Sequence, residues 1–221
     1  MSAVPVEHAD GLEAYAQSVA GCTRCRLAQG RTQVVFGAGN PRAELMFVGE
    51  APGFHEDKQG LPFVGQAGKL LEKLLNGIGM QRTDVYIANV LKCRPPGNRD
   101  PQPDEIEACE SHLFRQIELI QPKVICTLGN FATKLLSGKP DGITRVHGRE
   151  QDVVLGGSRV LLFPIFHPAA ALYTPRMLDV LQEDFARLPE LLGRETAPPP
   201  APLMTPMPPA PEPVAVQLGL F

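Results

Sequence analysis

Four short apolar runs recur along the chain: ELMFVG (44–49), DVYIANV (84–90), KVICTLG (123–129) and RVLLFPIF (159–166). Each is nearly continuous in its hydrophobicity and shorter than an ordinary helix, the pattern of a strand covered on both faces. Helix-period segments lie between them. AGKLLEKLLNGIG (67–79) repeats Leu70, Leu71, Leu74 and Leu75 at helical spacing and stops at glycines. DEIEACESHLFRQIELI (104–120) opens on acids after Pro103 and keeps an apolar stripe through Ile106, Leu113, Ile117 and Ile120. GNFATKLLSG (129–138) starts directly off the third strand, and TPRMLDVLQEDFARLPELL (174–192) reads as a closing helix. Strands alternating with helices predict a three-layer α/β/α fold around a central, mostly parallel four-stranded sheet.

Composition sets the limits of that fold. The chain has 221 residues and 23 prolines, and about half of residues 197–213 are proline. The folded domain is therefore expected over 1–194, with 195–221 as a disordered tail. The net charge of −3 gives no sign of a polyanion partner. Even so, Lys92, Arg94 and Arg99 fall together, as do Arg145 and Arg149, which allows a basic face on an acidic whole. The first residues lack a basic, then apolar, leader, and the longest apolar runs are too short for a bilayer. A cytoplasmic location is expected, where disulfides are rare.

Five cysteines then need an account. Cys126 lies inside an apolar strand and reads as a small core residue. Cys22 and Cys25 form a C-x2-C pair, Cys93 follows the second strand in a proline-rich loop, and Cys109 sits in the long helix after it. These four fit unrelated core positions, a four-thiolate zinc site or an iron–sulfur cluster, and spacing does not choose among them.

Function in an α/β protein sits at the carboxyl ends of the strands. The first strand leads into GEAPGFHED (49–57), with Glu50 opening a turn stiffened by Pro52 and Gly53. LPFVGQAG follows, with Phe63; the second strand ends in NVLKCRPP, with Asn89; the fourth ends in HPAAAL, with His167. No G-x-G-x-x-G opens the first helix, which argues against a dinucleotide site. In this order, and with the four cysteines, the motifs closely resemble the family 4 uracil-DNA glycosylases over roughly residues 20–190.

That resemblance implies a monofunctional enzyme of base excision repair. It would flip uracil out of DNA, hydrolyse the N-glycosidic bond and leave an abasic site. It implies a 4Fe–4S cluster on Cys22, Cys25, Cys93 and Cys109. His167 would stabilise the leaving base, and Asn89 would read its O4 and N3–H edge. Phe63 would stack on the base, Glu50 would act on water or on the cationic sugar, and Glu56 would wall off the C5 position. Ala51 stands where many superfamily members have an aspartate or asparagine, as in family 4. Arg94 and Arg99, with Leu172 as a wedge and Arg176 as a phosphate contact, would hold DNA. The loop after the second strand has no histidine for covalent capture of DNA. Intact pocket residues favour an enzyme over a damage-binding or electron-carrying protein on the same fold. A monomer is expected.

The chain ends in PEPVAVQLGLF, where an apolar cluster terminates a proline-rich stretch. QLGLF resembles the peptide by which bacterial polymerases and repair proteins dock on the sliding clamp. Gln217 would bond at the pocket rim and Leu220 and Phe221 would fill it, with Leu218 part of the same clamp-binding peptide. Deleting residues 217–221 is expected to abolish clamp binding in a pull-down and leave cleavage of short oligonucleotides unchanged.

Overall fold

The computed structural model describes residues 7–194. The expected tail and its terminal peptide, with Gln217, Leu218, Leu220 and Phe221, lie outside the described residues.

A central sheet carries helices on both faces. Its strands are β1 (Ala38–Gly39), β2 (Leu45–Gly49), β3 (Tyr86–Asn89), β4 (Val124–Leu128), β5 (Gln151–Leu155) and β6 (Ser158–Ile165), in the order β1-β3-β2-β4-β6-β5. The four central strands are parallel, and the two edge strands pair antiparallel to their neighbours. The sheet thus has six strands where the apolar runs predicted four. The four predicted runs are the parallel strands. β1 spans only two residues, too short to register as a pattern. β5 is missed because QDVVL is half-exposed and mixes polar with apolar positions. It turns into β6 through Gly156 and Gly157, both at positive φ (56° and 77°), the backbone of a two-residue hairpin turn.

The helices are α1 (Glu7–Val19), α2 (Phe54–Gln59), α3 (Gln66–Gly77), α4 (Pro103–Ile120), α5 (Asn130–Ser137), α6 (Ile143–Val146), α7 (Pro168–Ala171), α8 (Pro175–Ala186) and α9 (Leu188–Gly193). The expected closing helix over 174–192 is two helices, because Pro189 has no N–H to continue the first. α1 and α2 carry no strong periodic signal, and α2 occupies what reads as a loop in GEAPGFHED.

Side chains alternate across each strand and so divide the core into two layers. Met46, Val48, Ala88, Ile125 and Leu162 face Leu12 of α1, Leu113 and Ile117 of α4, and Ala132 and Leu136 of α5. Leu45, Phe47, Ile87, Cys126 and Phe163 face Leu71 and Leu75 of α3 and Leu181 and Phe185 of α8. Phe47 and Phe185 stack at 5.7 Å between ring centroids. Cys126 is wholly buried among these apolar side chains. α4 starts on a capping box in which Glu105 accepts from the Gln102 amide. Among the described residues no helix is long and apolar enough to cross a membrane.

Candidate active site

The parallel register sets Gly49, the last residue of β2, beside Asn89, the last of β3. Ladder bonds run on past both ends: Val90 N donates to Gly49 O (2.9 Å) and Leu91 N to Glu50 O (3.0 Å). Glu50 is therefore anchored by its backbone although it lies outside the strand. Asn89 is 2% exposed, and its Oδ1 has no hydrogen-bond partner among the described residues. A buried amide oxygen left bare is costly, which marks it as a group awaiting a ligand. Gly49 makes its placement possible: a Cβ there would lie 2.4 Å from Asn89 Oδ1 and 2.7 Å from the Phe63 ring.

Phe63 holds an unusual backbone, with φ at 52° in the left-handed region. Two features enforce it. Arg82 Nη1 donates to Phe63 O (2.8 Å) while its Nη2 donates to Pro62 O. Gly68 admits the turn of chain, since a Cβ there would sit 1.8 Å from Phe63 O. The ring is turned against His167, at 5.5 Å between centroids and 30° between planes.

His167 lies two residues past β6 and caps α7, its Nδ1 accepting from Ala169 N at 3.1 Å. An Nδ1 that accepts leaves the ring proton of the neutral imidazole on Nε2. Burial lowers the ring's pKa to about 4, with the Glu56 carboxylate pulling weakly the other way. At neutral pH the group is an uncharged donor.

Glu50, Ala51, Glu56, Phe63, Asn89 and His167 all line one cleft of about 580 Å³. Burial pushes the Glu50 carboxyl pKa up, and the charge of Asp100 adds to this. Glu56 spends Oε1 on the amides of Val64 and Gly65, both at 2.9 Å, and so locks α2 to the Phe63 turn. Arg99 lines the cleft edge but pairs bidentately with the buried Glu105 at 2.9 and 2.5 Å, anchoring α4. Arg94 lies over the Phe54 ring at 5.2 Å, with its Nε donating to Asn98 Oδ1. Leu172, on the α7–α8 connection, and Arg176, in the first turn of α8, are exposed, with Tyr173 between them 89% exposed.

Sequence reasoning missed Arg82, Lys92 and Phe54. Arg82 follows α3 in a turn with no motif, and its role is visible only once the chain folds back on Phe63. Lys92 sits in NVLKCRPP and reads there as a surface cation. It is instead buried, donating Nζ to Asn89 O (2.7 Å) and Gln116 Oε1 (2.5 Å). Burial lowers its pKa to about 8, which the Cys109 thiol partly opposes.

The four candidate ligand cysteines line a second, small pocket together with Arg31, Lys92 and His112. Among the described residues no group of three or more His, Cys, Asp or Glu side chains is arranged to hold a single metal ion. The four cysteines line one common space, and three of their sulfurs have a polar partner close by. Lys92 N points to Cys109 Sγ (3.3 Å), Arg31 Nη1 to Cys93 Sγ (3.5 Å), and His112 Nε2 lies 3.3 Å from Cys22 Sγ. Burial raises the thiol pKa of Cys93, and that of Cys109 to about 11. Such sulfurs become thiolates when iron supplies the compensating charge. This donor set fits a cluster.

The chain belongs to the uracil DNA glycosylase superfamily, whose family model matches residues 36–188. Within it, the chain falls in the type-4 branch. It is 49% identical to the type-4 uracil-DNA glycosylase of Sulfurisphaera tokodaii over 187 residues, covering 82% of this chain and 85% of that one. It is 49% identical to that of Saccharolobus solfataricus (83% and 88% covered) and 46% identical to that of Archaeoglobus fulgidus (84% and 96% covered).

The crowding at Gly49 yields a direct test. Gly49→Ala is expected to fold, with its melting temperature lowered by a few degrees, and to lose uracil release by about 100-fold or more, because the new methyl displaces Asn89 Oδ1 and Phe63. Oligonucleotide cleavage and thermal melting, measured side by side, check it.

Proposed function

We infer that the chain is a uracil-DNA glycosylase that hydrolyses the bond between deoxyribose and a flipped uracil and leaves an abasic site. The observation that carries this is the bare, buried Oδ1 of Asn89 on the wall of the cleft. An asparagine amide matches uracil with Oδ1 accepting from N3–H and Nδ2 donating to O4. Cytosine offers an acceptor at N3 and a donor at N4, so it would leave both amide groups opposed by like partners. Lys92 holds the strand end that carries this side chain, since its Nζ donates to the Asn89 main-chain carbonyl.

Bond cleavage leaves negative charge on the base and positive charge on the sugar. His167 answers the first. Its Nε2–H donates to the base O2, a hydrogen bond that strengthens as charge develops there. With a pKa near 4 the ring keeps this role without ever being a cation at neutral pH. Glu50 answers the second: its carboxylate faces the same cleft and orients the attacking water or stabilises the sugar cation. Ala51 offers no acid of its own, which leaves that work to Glu50. Phe63, held against His167, provides the apolar face on which the base rests, and Glu56 sits where it limits the C5 side.

Cys22, Cys25, Cys93 and Cys109 would hold a 4Fe–4S cluster. When bound, it supplies iron–thiolate bonds that join the segment after α1 to the β3–α4 loop and α4. The protein's own share is to line up the sulfurs and to direct Lys92 N and Arg31 toward them. Exposed Leu172 and Arg176, with Arg94 near the cleft, would hold DNA around the extruded nucleotide.

Pure protein incubated with a uracil-containing oligonucleotide, followed by alkali, is expected to give strand scission without added metal or nucleotide. Intact strands under single-turnover conditions would overturn the reading. His167→Ala should slow single-turnover cleavage by about 100- to 1,000-fold while changing DNA affinity little. Equal losses in rate and affinity would make His167 a structural cap only. Asn89→Asp should erode the preference for uracil over cytosine. For the cluster, anaerobically purified protein should be brown, and Cys93→Ser should lose iron and thermal stability together. Stoichiometric zinc without iron would count against it.

A further inference from the structure

Phe54 opens α2 at the mouth of the cleft and is 49% exposed. Among the described residues it is the only large exposed hydrophobic side chain that lines the cleft. Its surroundings are not those of a stray apolar residue. The two acids of α2 are both turned onto backbone amides, Glu56 to Val64 and Gly65 and the buried Asp57 to Thr32 N (2.8 Å). The outer surface of the helix is left to Phe54, His55, Lys58 and Gln59. Lys58 Nζ lies 5.9 Å from the centre of the Phe54 ring and Arg94 Cζ lies 5.2 Å from it. The His55 ring meets it edge-on at 5.5 Å. Neither the terminal nitrogens of Arg94 nor Lys58 Nζ has a carboxylate partner among the described residues. Asn98 meets Arg94 only at Nε.

A half-exposed aromatic ring with two cations over it and no carboxylate among the described residues to neutralise them has the composition of a stacking platform for single-stranded nucleic acid: the exposed part of the ring takes a base, and the cations take the phosphates beside it. The place in the fold names the occupant. Whatever nucleotide fills the cleft is covalently joined to a neighbour, and Phe54 stands at the cleft's mouth. In a duplex that neighbour is stacked and paired. In a single strand its base is free to leave the stack.

We propose that Phe54, with Lys58 and Arg94, binds the unpaired nucleobase next to the flipped uracil and so gives the enzyme a foothold specific to single-stranded DNA. This rests on the uracil-excision reading above but adds a second base subsite at the edge of the cleft.

The chain has no tryptophan, so Phe54→Trp places a single indole at the platform. The probe is a single-stranded oligonucleotide carrying a 2′-fluorinated, uncleavable deoxyuridine, used beside its duplex form. Emission from that indole is expected to be quenched by the single strand and far less by the duplex. Phe54→Ala should raise KM for single strands by roughly ten-fold, with kcat and melting temperature unchanged and the duplex KM within about two-fold. Phe54→Trp should retain the native KM. Single-strand binding, seen by anisotropy, without any quenching would overturn the proposal, as would equal KM changes on both substrates. Wild-type protein that releases uracil from neither substrate would instead sink the glycosylase reading, and the fluorescence measurement would still report on the platform.

Discussion

The parallel alignment of β2 with β3 is the constraint from which the site follows. It puts a residue without a side chain opposite a residue with a short amide, at the point where both strands stop. Had the register slipped by one, Gly49 would face a different neighbour and the Asn89 side chain would turn to the other face of the sheet. The alignment is over-determined. β2 is held on its other side by β4, bonds continue beyond the strand ends to Glu50, and both core layers bury every side chain of the two strands. An unsatisfied amide can be kept in such a place because nothing around it is free to relax onto it.

One buried charge is tied to the same strand end. Lys92 spans the distance between the two pockets: its backbone N–H faces a cysteine sulfur while its side chain grips the carbonyl of Asn89. A buried ammonium is expensive unless its donors are engaged, and here an amide oxygen and a main-chain carbonyl share it. Gln116 passes the connection outward to Phe36 O and Tyr86 Oη. One residue thus links the cysteines to the strand end proposed to read the base. On the opposite side, burial withholds a proton from His167 and so keeps one neutral donor in a cleft that also holds two carboxylates.

Much of this is legible in the chain. Continuous apolar runs identify the parallel strands because burial on both faces leaves no room for polar alternation. Strand ends point to Glu50, Asn89 and His167 because a parallel sheet gathers those ends on one side. The edge strands are harder. β5 is solvated on one face and its hydrophobic content is diluted, although the Gly156–Gly157 pair between VVL and RVLL is a usable hairpin signal. α2 is hidden because Pro52 and Gly53 announce a turn, and its six residues are too few to show a period. Arg82 and Lys92 cannot be found from composition at all. Arg82 bonds main-chain carbonyls, as does Lys92 at Asn89, and every residue has one, so no pattern of side chains betrays them. Arg99 is a similar case: its carboxylate partner, Glu105, reads as an ordinary first-turn acid until the capping box closes.

Four of the side-chain bonds that fasten the amino-terminal segment reach far along the chain. Tyr15 meets His112, Cys22 meets His112, Arg24 meets Ser111, and Phe36 meets Gln116. The spans between these partners run from 80 to 97 residues. Contacts of such high sequence separation close late, after local helices and the inner strands have given them something to close upon. On the ribosome the order is sharper still. Cys22 and Cys25 emerge first, and must wait for the whole of β2, α3 and β3 to be made before Cys93 and Cys109 exist. The earliest-made thiols of the chain are therefore the last to find their surroundings, and in that interval they stand more open to oxidants than in the finished protein, where both are partly buried.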